Sequence, residues 1–376
     1  MDEATRVHKQ LGGKIKIIPK KEITGIEDLA LLYTPGVAKP CLEIAKKREL
    51  VYELTMKKNS VAIVTDGTRV LGLGNIGPEA SLPVMEGKAM IMSQFANLDA
   101  FPICLNCRDE EEIIKTVKYL EPVFGLINLE DIETPKVFKI HERLTEEMNI
   151  PVFHDDQHGT AMVVLAGLIN AMKVLGLKKD ALVGIIGTGS AGYAIANLLL
   201  YYGFENLICF DSKGAIHGKR NDLEYHKEKL AKITNKNNFN GKPEALVNAQ
   251  IIIAASKPGS IPIKTIQNMK KPNIVFALSN PDSEITLEQA KELKIDIFGS
   301  GRSNSPNQIN NAVCFPGFIK SLLDLNIRKI KYEMYVLAAK GIAKTVENPT
   351  REKIIPNPFE KKVIINIKKE MEKCLG

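Results

Sequence analysis

Four acids stand in two adjacent pairs, Glu130-Asp131 and Asp155-Asp156, and each pair follows an apolar run. Neighbouring carboxylates repel unless water or a shared cation screens them. The water-screened alternative for Glu130-Asp131 is a solvated start to a helix over Thr134 to Leu144. Two strand ends that carry acids can instead meet at one edge of a sheet. Three carboxylate oxygens there, completed by water and substrate, suit Mg²⁺ or Mn²⁺. Lys88 lies on a mostly apolar helix expected to begin at Val84 and run to Ala96. On an exposed face it would be an ordinary cation; desolvated, it would have a lowered pKa and serve as a base. Tyr33 precedes Thr34-Pro35-Gly36, where it is either a half-buried aromatic or a hydroxyl held toward a cleft. Arg69 has the planar fork that suits a carboxylate.

Two glycine patterns follow. Gly72 to Gly77 fits G-x-G-x-x-G, but Pro78 follows and no apolar strand enters it. It reads as a tight turn where backbone approaches another group closely. Gly187-Thr188-Gly189-Ser190-Ala191-Gly192 is different: the strand Leu182 to Ile186 enters it and the helix Tyr193 to Tyr202 leaves it. The first glycine makes the turn, the second admits a pyrophosphate, and the third permits helix–strand packing. The strand Leu207 to Phe210 ends at Asp211, about 20 residues on, where an acid grips a ribose hydroxyl. That acid favours NAD. Lys213, Lys219 and Arg220 stand near enough to pair with the extra phosphate of NADP.

The elements that must position these residues alternate strand and helix. In the first half, buried strands are expected at Ser60 to Thr65, Phe101 to Leu105, Val123 to Leu129 and Ile150 to Phe153, with a short one at Lys14 to Ile18. The apolar helix Thr160 to Leu175 opens the second half, and further strands are expected at Ile251 to Ala254, Ile274 to Leu278 and Ile295 to Phe298. Ser279-Asn280-Pro281 and Asn310-Asn311 fall at or beyond strand ends, where open α/β sheets bind ligands. The tail from Gly317 is helical. The fold class is therefore α/β in two domains. Residues 1–155 form an N-terminal α/β domain for substrate and metal, and 156–311 a doubly wound Rossmann-type NAD(P)-binding domain. Helices at about 312–350 are expected to pack back on the first domain, and a last helix at about 359–376 to return to the second.

A chain of 376 residues with 44% hydrophobic and 25% charged residues suits a two-domain globular protein. No apolar run reaches the ~20 residues of a membrane helix. The start, with Asp2 and Glu3, is not a secretory signal, so a cytoplasmic protein is expected. The net charge of +7 is scattered rather than gathered into a patch, which argues against nucleic acid as a partner. The six cysteines include one C-x-x-C, Cys104 and Cys107, without the second pair a zinc site would want, so inert, mostly buried thiols are expected.

Taken together, Tyr33 to Ala38, Gly72 to Gly77, Glu86-Gly87-Lys88-Ala89, Asn128 to Asp131, Phe153 to Ala161, the glycine loop, Ser279-Asn280-Pro281 and Asn310-Asn311 resemble the malic enzyme family in its short prokaryotic form. The resemblance implies oxidative decarboxylation of L-malate to pyruvate and CO₂ with NAD or NADP and Mg²⁺ or Mn²⁺, and oxaloacetate decarboxylation besides. It implies Glu130, Asp131 and Asp156 as metal ligands, Lys88 as general base, Tyr33 as general acid, and Asp155 as the group that tunes the lysine. Arg69, Lys88, Asn280 and one or both of Asn310 and Asn311 would hold substrate; Asn280 would also face the nicotinamide. Gln157 and His158 are given no catalytic role. A homodimer or larger homo-oligomer is expected, and relatives suggest that Tyr33 and Lys88 act across subunits. The rival readings are a metal-dependent oxaloacetate decarboxylase with a structural nucleotide and a non-catalytic dinucleotide sensor.

Overall fold

The computed structural model describes residues 1–302 and 305–375. Its first sheet has four parallel strands, β1 (Ser60–Thr65), β2 (Asp99–Cys104), β3 (Leu126–Leu129) and β4 (Val152–His154), in the order β2-β1-β3-β4. Every residue of β1, β3 and β4 is buried. Unbroken apolar strands of this kind belong to parallel sheets covered on both faces. The second sheet has six strands, β5 (Val183–Ile186), β6 (Leu207–Asp211), β7 (Gly214–Ala215), β8 (Ile251–Ala254), β9 (Ile274–Ala277) and β10 (Ile297–Ser300), in the order β10-β9-β8-β5-β6-β7. Five are parallel; β7 hairpins back antiparallel onto β6, so the sheet is mixed.

Both sheets reverse their winding direction once. In the first, the chain moves from β1 to β2 on one side and then to β3 on the other; in the second, β5 has β6 on one side and β8 on the other. A crevice opens beyond the strand ends at each reversal, because the flanking connections leave in opposite directions. The two crevices share one segment: β4 runs through the turn Asp155–Gly159 into the helix Thr160–Leu175, which leads to β5. That helix packs against Ser190–Tyr202 on one side and Tyr332–Thr345 on another. The continuous run Asp155–Leu175 is long and apolar enough to cross a membrane, but 67% of its apolar 18-residue window is buried inside the molecule, as in the core helix of a layered fold. Behind it, Phe315–Asp324 packs on the helix Pro78–Ala96, and Lys362–Met371 packs on Phe315–Asp324 and Tyr332–Thr345.

Several expectations are corrected. Lys14 to Ile18 forms no strand: it shares a groove with Asp99 to Phe101 of the edge strand β2 without pairing to it, and its polar groups bond instead to the helix Pro78–Ala96, Lys14 N to Glu86 at 3.2 Å and Lys14 Nζ to the Pro83 carbonyl at 2.6 Å. That helix starts six residues before Val84, with Pro78 in its first turn, where a missing N–H costs nothing. β10 begins at Ile297, not Ile295, because Lys294 takes a left-handed conformation and the Ile295 N–H closes the preceding helix on the Ala290 carbonyl. Of the cysteines only Cys209 and Cys314 are buried; Cys41 is exposed.

Candidate active site between the two sheets

The acids converge as their strand ends require. Glu130 and Asp131 directly follow β3, Asp155 and Asp156 follow β4, and those strands are neighbours. Glu130, Asp131 and Asp156 each offer an oxygen within 4.8 Å of the other two. The turn Asp155–Gly159 is a π turn, one residue wider than an α turn. Its width lets two consecutive aspartates serve different partners. Asp155 folds back so closely that a Cβ on Gly159 would lie 1.8 Å from its Oδ1, so only glycine fits there. Asp131 has φ of 52°, a left-handed conformation that turns its carboxylate into the cleft.

Lys88 reaches this cluster from the helix Pro78–Ala96. Its ammonium lies 2.6 Å from Glu130 Oε1, is bonded to Asp155 Oδ2, and sits 4.5 Å from the centre of the Phe315 ring. Asn311 Nδ2 donates to the same Asp155 oxygen at 2.6 Å, and Asn128 Nδ2 donates to Glu130 Oε2 at 2.9 Å. Burial acts against the Lys88 charge, but Asp155 and Glu130 outweigh it and hold the lysine protonated. Its expected lowering by desolvation is therefore reversed by the acids around it. Burial pushes Glu130 well above the carboxylate range, and burial with the nearby Asp156 charge lifts Asp131 to about 7. The low-dielectric surroundings oppose the Asp156 charge as well, yet His154 and Lys88 bring that acid down to about 2.

These residues fit a hard divalent cation. Asp131 Oδ2 is buried and makes no hydrogen bond, three carboxylates crowd one point, and all the donors are oxygens.

The opposite wall is the glycine loop. Gly187 has φ of 94°, and a Cβ on Gly192 would meet the Gly187 carbonyl at 1.8 Å. The helix Ser190–Tyr202 has no side-chain cap at Gly189, so its first N–H groups stay open for a phosphate. Ala255 to Pro258, after β8, close the far side of the crevice. The loop fits a dinucleotide. Asp211 lies beyond it with its carboxylate in a fork from Arg220 at 2.9 and 3.0 Å; Arg220 also grips Asp222, and Lys213 pairs with Asp222 at 2.7 Å.

A cleft of about 1010 Å³ joins both walls and is lined by Arg69, Lys88, the three clustered acids, Ser190, Ala191, Asn280, Asn310 and Asn311. Arg69 touches both sides: its N–H donates to the Asp131 carbonyl at 3.0 Å, and its guanidinium would lie 3.2 Å from a Cβ on Gly189. The first glycine pattern is a close approach, since a Cβ on Gly72 would sit 2.8 Å from the Asn280 carbonyl. The two asparagines differ. Asn310 caps a short turn by accepting from Ala312 N, whereas Asn311 faces Asp155. Tyr33 is not in this cleft: it is 65% exposed, on a segment whose helices through Leu54 bury no residue. Sequence reasoning gave Asn128 and His154 no role, although each stands in a family-like motif and within two residues of an acid.

Comparison with known proteins agrees along most of the chain. Residues 12–115 match the model of the malic enzyme N-terminal domain, and residues 157–364 that of the malic enzyme NAD binding domain. The chain is 46% identical to the bifunctional malic/malolactic enzyme of Bacillus subtilis, covering 99% of this chain and 92% of that protein. It is 47% identical to the NAD-dependent malic enzyme of Geobacillus stearothermophilus, over 95% and 76% of the two chains. The crystal structure of the Thermotoga maritima NAD-dependent malic enzyme superposes with a TM-score of 0.95 at 44% identity, covering 99% of each chain. With acids, lysine and glycine loop facing one cleft and family models spanning both sheets, the chain belongs to the malic enzyme family of oxidoreductases.

Proposed function

We propose that this malic enzyme, which carries out NAD(P)-dependent oxidative decarboxylation of malate, works with Lys88 as general base and a tyrosine from a second copy as general acid. The observation that carries the reading is Lys88 clamped by Glu130 and Asp155 beside the acid triad, across the cleft from the glycine loop. When bound, a divalent ion polarises the substrate oxygens and the nicotinamide accepts hydride. Glu130, Asp131 and Asp156 would hold the ion. Arg69 takes a malate carboxylate in its fork, with Asn280 and Asn311 fixing the rest of the substrate. Lys88, freed of its proton once the acids turn their charge to the ion, accepts the C2 hydroxyl proton. Asp155 and Asn311 keep its amine aimed. After CO₂ leaves, the Tyr33 hydroxyl delivers a proton to C3 and pyruvate results. The same residues serve added oxaloacetate. Initial rates with L-malate and Mn²⁺, with NAD and NADP side by side, test the reading. Reduced nicotinamide must accumulate only with malate present; oxaloacetate loss without malate oxidation would favour a plain decarboxylase.

The exposed apolar surface before residue 55 supports a homodimer. Ile17, Ile26 and Leu31 are 86%, 77% and 67% exposed, alongside Tyr33. Patches of that extent are covered in stable assemblies. A second copy seated there would bring Tyr33 to the partner's Lys88. Tyr33→Phe and Lys88→Ala proteins, each nearly inactive, should regain about a quarter of wild-type rate when mixed as hybrid dimers, the statistical share of intact sites. Rates that stay at the level of the separate variants would place the tyrosine in its own chain's site.

NAD is the preferred cofactor on this reading, because Asp211 can accept from a ribose 2′-hydroxyl and repels a 2′-phosphate. Asp211→Ser should shift the NADP-to-NAD ratio of kcat/KM by at least about tenfold, equal to ~1.4 kcal/mol, since it also releases Arg220. An unchanged ratio would remove Asp211 from selection. The domains are proposed to divide at residues 155 and 156, within the π turn.

A further inference from the structure

We propose that His154 is a positioning residue for the Asp156 carboxylate, and that Gln157 sets the ring tautomer in which it acts; this rests on Asp156 as a metal ligand. His154 is the last residue of β4 and its side chain is wholly buried. Its Nε2 lies 3.4 Å from Asp156 Oδ2 and finds no closer partner among the described residues. An ionised carboxylate can only accept, so a stable arrangement needs the ring proton on Nε2. In the neutral ring the other nitrogen, Nδ1, is then a bare acceptor, and it lies against the Gln157 side-chain amide nitrogen. That amide must present its NH₂ to Nδ1. The tautomer follows from the partners at both ends of the ring.

The arrangement brings two nitrogens to one carboxylate oxygen, one hydrogen-bonded to it and one facing it at 3.4 Å. Asp156 Oδ2 accepts the Asp131 N–H at 2.9 Å and faces His154 Nε2. Oδ1 is engaged by no hydrogen bond among the described residues and is free to turn to an ion. The ring cannot swing away, because the His141 ring packs beside it with centroids 6.1 Å apart. Partners one bond removed from a metal commonly set its affinity, since they fix where the ligand points before the ion arrives. Gln157 is itself buried and sits on the face of the π turn turned away from the cleft, toward Phe138, His141 and Tyr335. One turn thus carries the ligand, and the His154 ring and Gln157 amide that would aim it stand behind it.

The test titrates the metal-free full-length protein with Mn²⁺ alone and reads free Mn²⁺ by electron paramagnetic resonance, with NAD binding followed separately. His154→Phe should weaken Mn²⁺ binding about 10–100-fold and leave NAD affinity unchanged. His154→Gln, whose amide N–H can stand where Nε2 stood, should restore binding to within about threefold of wild type. Gln157→Leu should give a smaller loss, and it keeps the idea testable if the phenylalanine variant does not fold. Equal Mn²⁺ affinity in the Phe and Gln variants, or wild-type affinity in Gln157→Leu, overturns the proposal. Asp156→Ala separates the two readings. If it binds Mn²⁺ like wild type, the ligand assignment fails; if it loses Mn²⁺ while His154→Phe keeps it, only the role of His154 fails.

Discussion

Lys88→Ala is expected to lower malate oxidation by ~10²–10⁴-fold or more, the usual contribution of a positioned base. The amine is the only nitrogen base bonded to both Asp155 and Glu130 among the described residues; Lys14 and Lys257 also line the cleft but pair with neither acid. Binding of Mn²⁺ should survive, because the three carboxylates remain and lose a cation that competes for Glu130. Small primary amines should restore part of the rate by occupying the space left next to Phe315. The same change should destabilise the metal-free protein, since breaking a buried pair costs about 3–5 kcal/mol by leaving acid charge uncompensated. Mn²⁺ should recover much of that loss in thermal unfolding. Absorbance of reduced nicotinamide reads the first effect and melting curves the second; full malate oxidation by Lys88→Ala would take the lysine out of the reaction.

Asp156→Ala should abolish both turnover and tight metal binding. Asp156 closes the triad, and its loss leaves Glu130 and Asp131, both of which burial holds toward the neutral form. Without Asp156 the Asp131 carboxyl should also become more acidic, because a repelling charge has gone. In the wild type, Mn²⁺ affinity should fall as pH drops through about 7, where Asp131 takes up a proton that competes with the ion. The sign is set by the raised carboxyl: protonated below that pH, ionised above it. Isothermal titration at several pH values reads both effects. Normal Mn²⁺ uptake by Asp156→Ala, or affinity independent of pH between 6 and 8, would contradict the triad.

Much of this architecture was legible in the chain because it is local. β1, β8 and the helix Thr160–Leu175 fall where the apolar runs end, since each is bounded by turn formers or acids. The glycine loop was readable for the same reason: turn, close approach and packing are three demands on consecutive residues. The partners of Lys88 were not, because Asp155 lies 67 positions away and only the stacking of β4 beside β3 brings it near. A lone lysine on an apolar helix predicts a depressed pKa; the acids that reverse it come from another element. The difference between Asn310 and Asn311 was equally hidden, as it depends on which of the two begins a turn. The segment at Lys14 to Ile18 has a strand's composition and lies near the β2 edge, yet its polar groups are taken by the helix Pro78–Ala96, which no local pattern reveals.

The π turn is both the covalent link between the two sheets and the floor of the cleft, since Asp155 and Asp156 belong to it. A swing of one sheet against the other that pivoted at this floor would open the rims while the acids scarcely moved. Nucleotide and product can then come and go through a widening mouth with the ion left seated, which predicts that exhaustive dialysis against nucleotide-free buffer strips NAD long before it strips Mn²⁺.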